Sequence, residues 1–340
     1  MESFFSLNFN DLEKFLKSKN FNPMLASNIF DHFYKFKATK TENLPVDFYQ
    51  ELEKYLDFTL PKIVTTKKAE DGTIKFLIEF DDGKKVESVL IPFYKKYTVC
   101  LSSQVGCAMN CSFCFTGTQG LSRHLKYQEI ILQYLIAYKH AKSIDQLAPA
   151  PNIVFMGQGE PLHNFDEVKK AIELFLDVKA FNLGPRQITV SSAGYLPGLN
   201  RFNELFGVNI AISFHSPKND VRSKLIPINQ KYPIEELVKT LKTIPLKKRQ
   251  YITFEYLLID ELNDKKEDAE ILASTLSELN PIINLIPFNP FPGSTLKRPN
   301  SEKVELFKSF LVQNHLRTMV RTTKGDEILA ACGQLNTKTI

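Results

Sequence analysis

Between residues 98 and 287 the chain switches repeatedly between two hydrophobic periods, and this alternation limits its possible folds more than any other feature. Strand-like runs TVCLSS (98–103), NIVFMG (152–157), QITVSS (187–192), VNIAIS (208–213), QYITFEYLLI (250–259) and IINLIP (282–287) each continue into segments that contain helical patterns. Among these are YQEIILQYLIAYKHAK, FDEVKKAIELFLDVK, PIEELVKTLKTI, DKKEDAEILASTLSEL and SEKVELFKSFLVQNH, which place apolar residues three and four apart. Repeated β/α units predict a parallel sheet with helices outside it, either doubly wound or curled into a partial barrel. In both forms function gathers at the C-terminal ends of the strands.

The preceding residues read differently. LEKFLKSKN and MLASNIFDHFYKF predict short helices, with Pro45 and Pro61 as punctuation, so residues 1–60 are expected to form a small helical module. KIVTTKKAE, TIKFLIEF and KKVESVLIP are separated by Asp71-Gly72 and Asp81-Asp82-Gly83, which predicts a β-meander over 61–97. The barrel region is then 98–340. At 340 residues, with 43% hydrophobic and 24% charged residues, the chain can bury a core and is neither a disordered polymer nor a disulfide mini-scaffold. No apolar run approaches the length of a membrane span, and MESFFSLNFN lacks a basic start or a cleavage site, so a cytoplasmic protein is expected. The net charge of +5 permits a polyanionic partner without demanding one: residues 1–97 hold 15 Lys and no Arg against 15 acidic residues, so the excess lies in the remainder.

Cysteine is more informative. The first barrel strand runs into Cys107-Ala-Met-Asn-Cys111-Ser-Phe-Cys114, a C-x3-C-x2-C spacing that holds three of the five cysteines. In a reducing compartment such clustering points to a metal or to catalysis. Three ligands suit a [4Fe–4S] cluster with one iron left open, whereas a zinc site would have to recruit a distant fourth ligand. Other chemistry-bearing residues fall at successive strand ends. Met156-Gly157-Gln158-Gly159-Glu160-Pro161 offers close backbone approach and a carboxylate for an ammonium group. Ser191, Ser213-Phe214-His215 and Asn289 offer hydroxyl, imidazole and amide groups suited to a ribose and an adenine.

The cysteine loop and the strand-end residues resemble the radical S-adenosylmethionine (SAM) superfamily. That resemblance implies a partial (β/α)6 barrel in which the open iron binds SAM, with Gly159, Glu160, Ser191, Ser213, Phe214, His215 and Asn289 as cofactor contacts and Cys107, Cys111 and Cys114 as cluster ligands. Longer stretches, VESVLIP, VCLSSQVGCAMNCSFCFTGTQGL, MGQGEPLHN, RSKLIPINQKYPI, NLIPFNPFPG and RTTKGDEILAACGQL, resemble the dual-specificity 23S rRNA/tRNA adenine-C2 methyltransferases from about residue 74 to 335. Departures from that family's usual pattern are Gln158 for Met, Phe214 for Leu and Ala193 for Ser.

Adenine C2 is electron-poor and bears an inert C–H bond, so direct attack on a SAM methyl group is not open to it. The family resemblance implies a radical route that uses two SAM per turnover. Cys332 takes a methyl group from the first, a 5′-deoxyadenosyl radical from the second removes hydrogen from it, and the resulting carbon radical adds to C2. Glu87 then accepts the C2 proton, and Cys100 releases the product by forming a transient disulfide with Cys332. Strand alternation puts Glu87 on the face of Val89 and Ile91. Implied partners are 23S rRNA or tRNA and a flavodoxin-type electron donor, for a monomeric enzyme. Lys84, Lys85, Lys95, Lys96, Arg123, His124 and Lys126 are candidate phosphate contacts, with Phe and Tyr residues to hold an unstacked base. Two other readings are methylation at adenine C8, against which PFNPFPG counts, and a non-enzymatic iron–sulfur RNA-binding protein, against which Cys100 and Cys332 count.

Overall fold

The computed structural model describes residues 1–36, 47–94, 96–247 and 250–337, which leaves Pro45 and Lys95 outside the described residues. A short strand β1 (Glu2–Ser3) precedes helices α1 (Phe9–Ser18), α2 (Leu25–Lys35) and α3 (Phe48–Leu52), and β2 (Leu56–Asp57) returns to pair with β1. Asn8 starts α1 by accepting the Asp11 N–H at 2.9 Å, which satisfies one of the donors a helix start leaves open. The rings of Phe4, Phe30, Tyr34 and Phe58 pack together, with Phe30 and Tyr34 4.8 Å apart. Tyr34 also meets Phe181 at 4.9 Å, so the helices share one apolar core with the rest of the chain.

The expected meander is present as β3 (Lys62–Lys68), β4 (Ile74–Glu79) and β5 (Lys85–Phe93), and β5 pairs antiparallel with β6 (Lys96–Cys100). A hairpin, β7 (Gln104–Gly106) with β8 (Leu121–His124), then leaves the sheet before α4 (Tyr127–Ile144). The chain continues through β9 (Asn152–Phe155), α5 (Phe165–Leu176), β10 (Ile188–Ser192), α6 (Leu196–Leu199), β11 (Asn209–Ser213), α7 (Asn219–Leu225) and α8 (Ile234–Lys242). It ends with β12 (Ile252–Leu258), α9 (Lys266–Leu276), β13 (Pro281–Pro287), α10 (Ser301–Gln313) and β14 (Arg317–Val320). All six expected barrel strands are there.

Strand order decides between the two sheet forms left open above. The order β3-β4-β5-β6-β9-β10-β11-β12-β13-β14 never reverses, whereas a doubly wound sheet requires a reversal. The parallel strands from β6 onward therefore wind in one sense and form a partial barrel. The meander occupies the β6 edge, and β14 occupies the other.

Registry separates the two faces. Ile188 pairs with Ile153 and Val190 with Phe155, while Ile210 and Ile212 pair with Ile252 and Phe254; these residues form the helix-facing core. The alternate set includes Ser191 opposite Ala211, Ser213 opposite Glu255, and Glu255 opposite Asn284. Because side chains alternate along a strand, small and polar residues line the concave side, where an apolar filling would leave no space for a ligand. Among the described residues no helix is long and apolar enough to cross a membrane.

Candidate active site

The cysteine loop is clipped at its base by the β7–β8 hairpin. Gly106, immediately before Cys107, has φ +74°, and an added Cβ there would stand 1.8 Å from the Gly120 carbonyl oxygen. Only glycine permits that approach. Gly159 has φ +101°, and its added Cβ would stand 2.5 Å from the Gln104 Cβ, so the Gly159-Glu160 turn is pressed directly onto the start of the cysteine loop. Gln104 secures the contact by accepting the Glu160 N–H at 2.8 Å.

These turns open onto one cavity of about 140 Å³, bordered by Cys107, Cys111, Cys114, Gly159, Glu160, Ser191, Ser213, His215 and Cys332. The strand-end placement read from the sequence thus brings most candidate residues together. Phe214 is different: it is fully buried on the helix-facing side, its ring 5.6 Å from that of Phe254, so its side chain does not border the cavity. Asn289 borders a second cavity, of about 30 Å³, and donates to the Cys332 carbonyl at 3.3 Å while accepting from Thr323 at 3.2 Å.

Electrostatics distinguish the groups. Burial pushes the Cys107 thiol up to about 12 and raises Cys111 and Cys114 as well, so these sulfurs become good donors only when a metal compensates their charge. Among the described residues no group of three or more His, Cys, Asp or Glu side chains converges as for a single ion. Three thiols beside one cavity, with Glu160 and the Ser and His groups on its remaining walls, form a donor set that fits a three-cysteine cluster with a ligand at its open iron. Burial raises the Glu160 carboxyl to about 7, against the N–H groups of Ala193 at 2.8 Å and Leu162 at 3.1 Å that favour its charged form. A bound ammonium group would complete that balance. His215 is held neutral, its value lowered to about 3 chiefly by burial. Its Nδ1 accepts the Leu257 N–H at 3.0 Å, which puts the ring proton on Nε2.

The second cavity brings Cys100 and Cys332 to one wall set, together with Met156 and Arg321. Both cysteines are free thiols, as are the three of the loop, so the transient disulfide expected of Cys100 and Cys332 during turnover is not formed here. Burial pushes Cys100 up to about 12, with Cys332 adding to the shift and Arg321 opposing it. Glu87 borders neither of these two cavities: it is fully buried, its Oε1 2.7 Å from Lys75 Nζ and its Oε2 accepting the Asn336 N–H at 2.8 Å. Burial raises its carboxyl above the usual range, while Lys75 and that N–H pull the other way. Lys75 also donates to the Leu329 carbonyl at 3.0 Å. The tail that carries Cys332 is fixed to the cysteine loop too: the Phe115 N–H donates to the Gly333 carbonyl at 2.6 Å, and the Thr116 hydroxyl donates to the Leu335 carbonyl at 2.6 Å.

Sequence reading did not single out Lys75, Glu255 or Arg321. Arg321 follows β14, a four-residue strand too short for its periodicity to register, and Glu255 is hidden within an apolar run. Its position two residues before Leu257, on the cavity face, was the available signal. Of the candidate phosphate contacts, Arg123 is committed to Asp82 at 2.6 Å and Glu129 at 2.7 Å, and Lys85 stands 3.2 Å from Glu79. His124 shares the Gln104 amide with His163. Lys84, Lys96 and Lys126 are exposed.

A one-way wound partial barrel with a three-cysteine loop over its strand ends defines a radical SAM enzyme, and the profile of the Radical SAM superfamily matches residues 101–272. A radical SAM methyltransferase from Sphaerobacter thermophilus superposes with a TM-score of 0.92 at 36% identity, covering 99% of each chain. The Dual-specificity RNA methyltransferase RlmN of Francisella tularensis subsp. novicida (strain U112) is 44% identical over 290 residues, 84% of this chain and 78% of its own. The protein of the same name from F. tularensis subsp. holarctica (strain OSU18) is 43% identical over the same shares. The chain belongs to the family of dual-specificity RNA methyltransferases. It is an RNA methyltransferase, and the non-enzymatic reading falls.

Proposed function

We propose that the protein methylates C2 of adenine in 23S rRNA and tRNA, using two SAM per turnover and Cys332 as the carrier of the incoming carbon. The observation that carries this reading is the position of Cys332, which borders the cavity of the three clustered cysteines and also the smaller cavity of Cys100. When bound, the [4Fe–4S] cluster held by Cys107, Cys111 and Cys114 and the SAM beside it supply a methyl donor and a hydrogen-abstracting carbon radical. Glu160 pairs with the SAM ammonium group, and Ser191, Ser213 and His215 orient its nucleoside. The Cys332 thiol gives up its proton and takes the methyl group by displacement. After that group has lost a hydrogen atom, its carbon bonds to adenine C2, and the adduct gives up one electron to the oxidised iron–sulfur cluster, replacing the one spent on SAM cleavage. Glu87 removes the C2 proton. The Cys100 sulfur then attacks the Cys332 sulfur, an S–S bond forms as the S–C bond breaks, and a proton completes the methyl group.

Residues 1–60 serve as an RNA-contacting module, 61–97 as the extension that carries Glu87, and 98–340 as the radical SAM barrel with the Cys332 segment. Exposed Phe93, the last residue of β5, and Tyr94 beyond it, with exposed Lys96 paired to Phe93 at the start of β6, suit contact with an unpaired base and its phosphates. The enzyme acts in the cytoplasm as a monomer and draws electrons from a flavodoxin-type donor. Incubation of Cys100→Ala with SAM, reductant and RNA tests the proposal: protein with covalently attached RNA should accumulate as a nuclease-sensitive band on a denaturing gel, and Cys332→Ala should give none. Normal turnover by Cys100→Ala would refute the route. Mass spectrometry of the product nucleoside checks the position, with 8-methyladenosine overturning C2.

A further inference from the structure

One buried charge takes no part in the steps above. Arg222, on α7, is fully buried, and its guanidinium donates only to neutral acceptors: the Phe214 carbonyl at 3.1 Å, Asn229 Oδ1 at 2.7 Å, the Ala193 carbonyl at 2.9 Å and the Ser213 carbonyl at 3.0 Å. Among the described residues no carboxylate pairs with it. A buried cation ordinarily has an anionic partner, because dispersed carbonyl dipoles recover only part of the lost hydration. Burial lowers the guanidinium to about 10, which leaves it charged at pH 7.

The missing partner is indicated by what packs beside it. The Ser112 N–H in the cysteine loop donates to the Leu225 carbonyl, one turn along α7 from Arg222, at 3.0 Å. Cys111 packs against the apolar cluster that includes Leu225, Ile226 and Ala193, and the carbonyl of Ala193 is itself an Arg222 acceptor. The Arg222 charge favours the thiolate form of Cys111 and, at the same end of the barrel, helps keep His215 neutral. We infer that Arg222 is the built-in counter-charge of the three-thiolate iron–sulfur site and raises the potential at which that site accepts an electron. The inference rests on Cys107, Cys111 and Cys114 being the cluster ligands. A fixed cation in a low-dielectric setting favours the more negative, reduced state of a neighbouring centre. The same guanidinium ties together the ends of β10 and β11, so the groups that face SAM and the charge beside the cluster are set by one side chain.

The test is an EPR-monitored titration of the full, anaerobically iron- and sulfide-loaded chain, with dithionite as the one-electron donor. Three variants are compared with the parent: Arg222→Lys, Arg222→Gln and Asn229→Asp. The last keeps the guanidinium but places a carboxylate against it; the Ser223 hydroxyl, which now accepts from the amide at 2.8 Å, can turn to donate, while the amide's bonds to the Asn219 carbonyl and Oδ1 are given up. Arg222→Gln and Asn229→Asp should each reduce the electron-accepting equilibrium about ten-fold, a fall of about 59 mV, while Arg222→Lys should stay close to the parent. If Arg222→Gln fails to fold, Asn229→Asp decides, since an added ion pair would lower the potential only if the charge acts on the cluster. Parent potentials in cluster-loaded Asn229→Asp, or an equal fall in Arg222→Lys, would overturn the inference. A parent chain that binds no iron would instead overturn the cysteine assignment on which it rests.

Discussion

Cys107, Cys111 and Cys114 lie on a single loop clipped by a two-strand hairpin, whereas Glu87, Cys100 and Cys332 lie on the meander, the first barrel strand and the tail, and meander and tail are joined by hydrogen bonds that span up to 254 residues. The first group can be placed by local geometry, with Gly106 and Gly120 setting the turn. The second depends on the tail returning to Lys75, Glu87, Phe115 and Thr116. Local construction suits a group that must hold one cofactor geometry. Distributed construction suits sulfurs that must approach, react and separate.

Substitutions should divide along that line. The largest effect is expected from Cys107→Ala, Cys111→Ala or Cys114→Ala, which should take the iron content of reconstituted protein from about four per chain to none and abolish activity; a full cluster in any of them would erase the distinction. Glu87→Gln should retain its iron and still methylate Cys332, but slow release of RNA from the adduct by about 10²–10⁴-fold in single-turnover assays.

Lys75→Met refines the second region. The proposed role needs Glu87 as a carboxylate, and its value already lies above the usual range, so resolution should rise with pH along an acid limb displaced upward. Lys75 favours the charged form; without it the limb should move to still higher pH, measurable as the pH profile of adduct decay. An unmoved limb would mean that Lys75 serves only to hold Leu329. The smallest effect is expected outside both regions: Asn8→Ala removes the cap of α1 and should cost about 1 kcal/mol in denaturant unfolding, with iron content and SAM cleavage unchanged.

The same division governs what could be read from the chain. The barrel strands were legible because each carries a strong apolar run, and the cysteine spacing names its own chemistry within one loop. β14 was not legible, since Arg317–Val320 alternates half-exposed residues over only four positions. Lys75 looked like one more meander lysine, and only the fold shows that it is buried against Glu87. Phe214 occupies a strand-end position, yet strand alternation turns its ring away from the cavity occupied by Ser213 and His215 on either side. The order of the sheet decided between two topologies that the alternation of strands and helices had left equal.

The contacts made by the tail also have a consequence for the timing of synthesis. The cysteine loop and the first strands emerge from the ribosome early, but the bonds from Phe115 to Gly333, from Thr116 to Leu335 and from Asn336 to Glu87 cannot form until the last of those residues has been made. A nascent chain therefore lacks the sulfur that would carry carbon to RNA, and the carboxylate that would complete the reaction lacks its backbone donor. Because the reaction chamber closes only after residues 332–336 have been made, a shorter nascent chain would be kept from starting chemistry that it has no means to end.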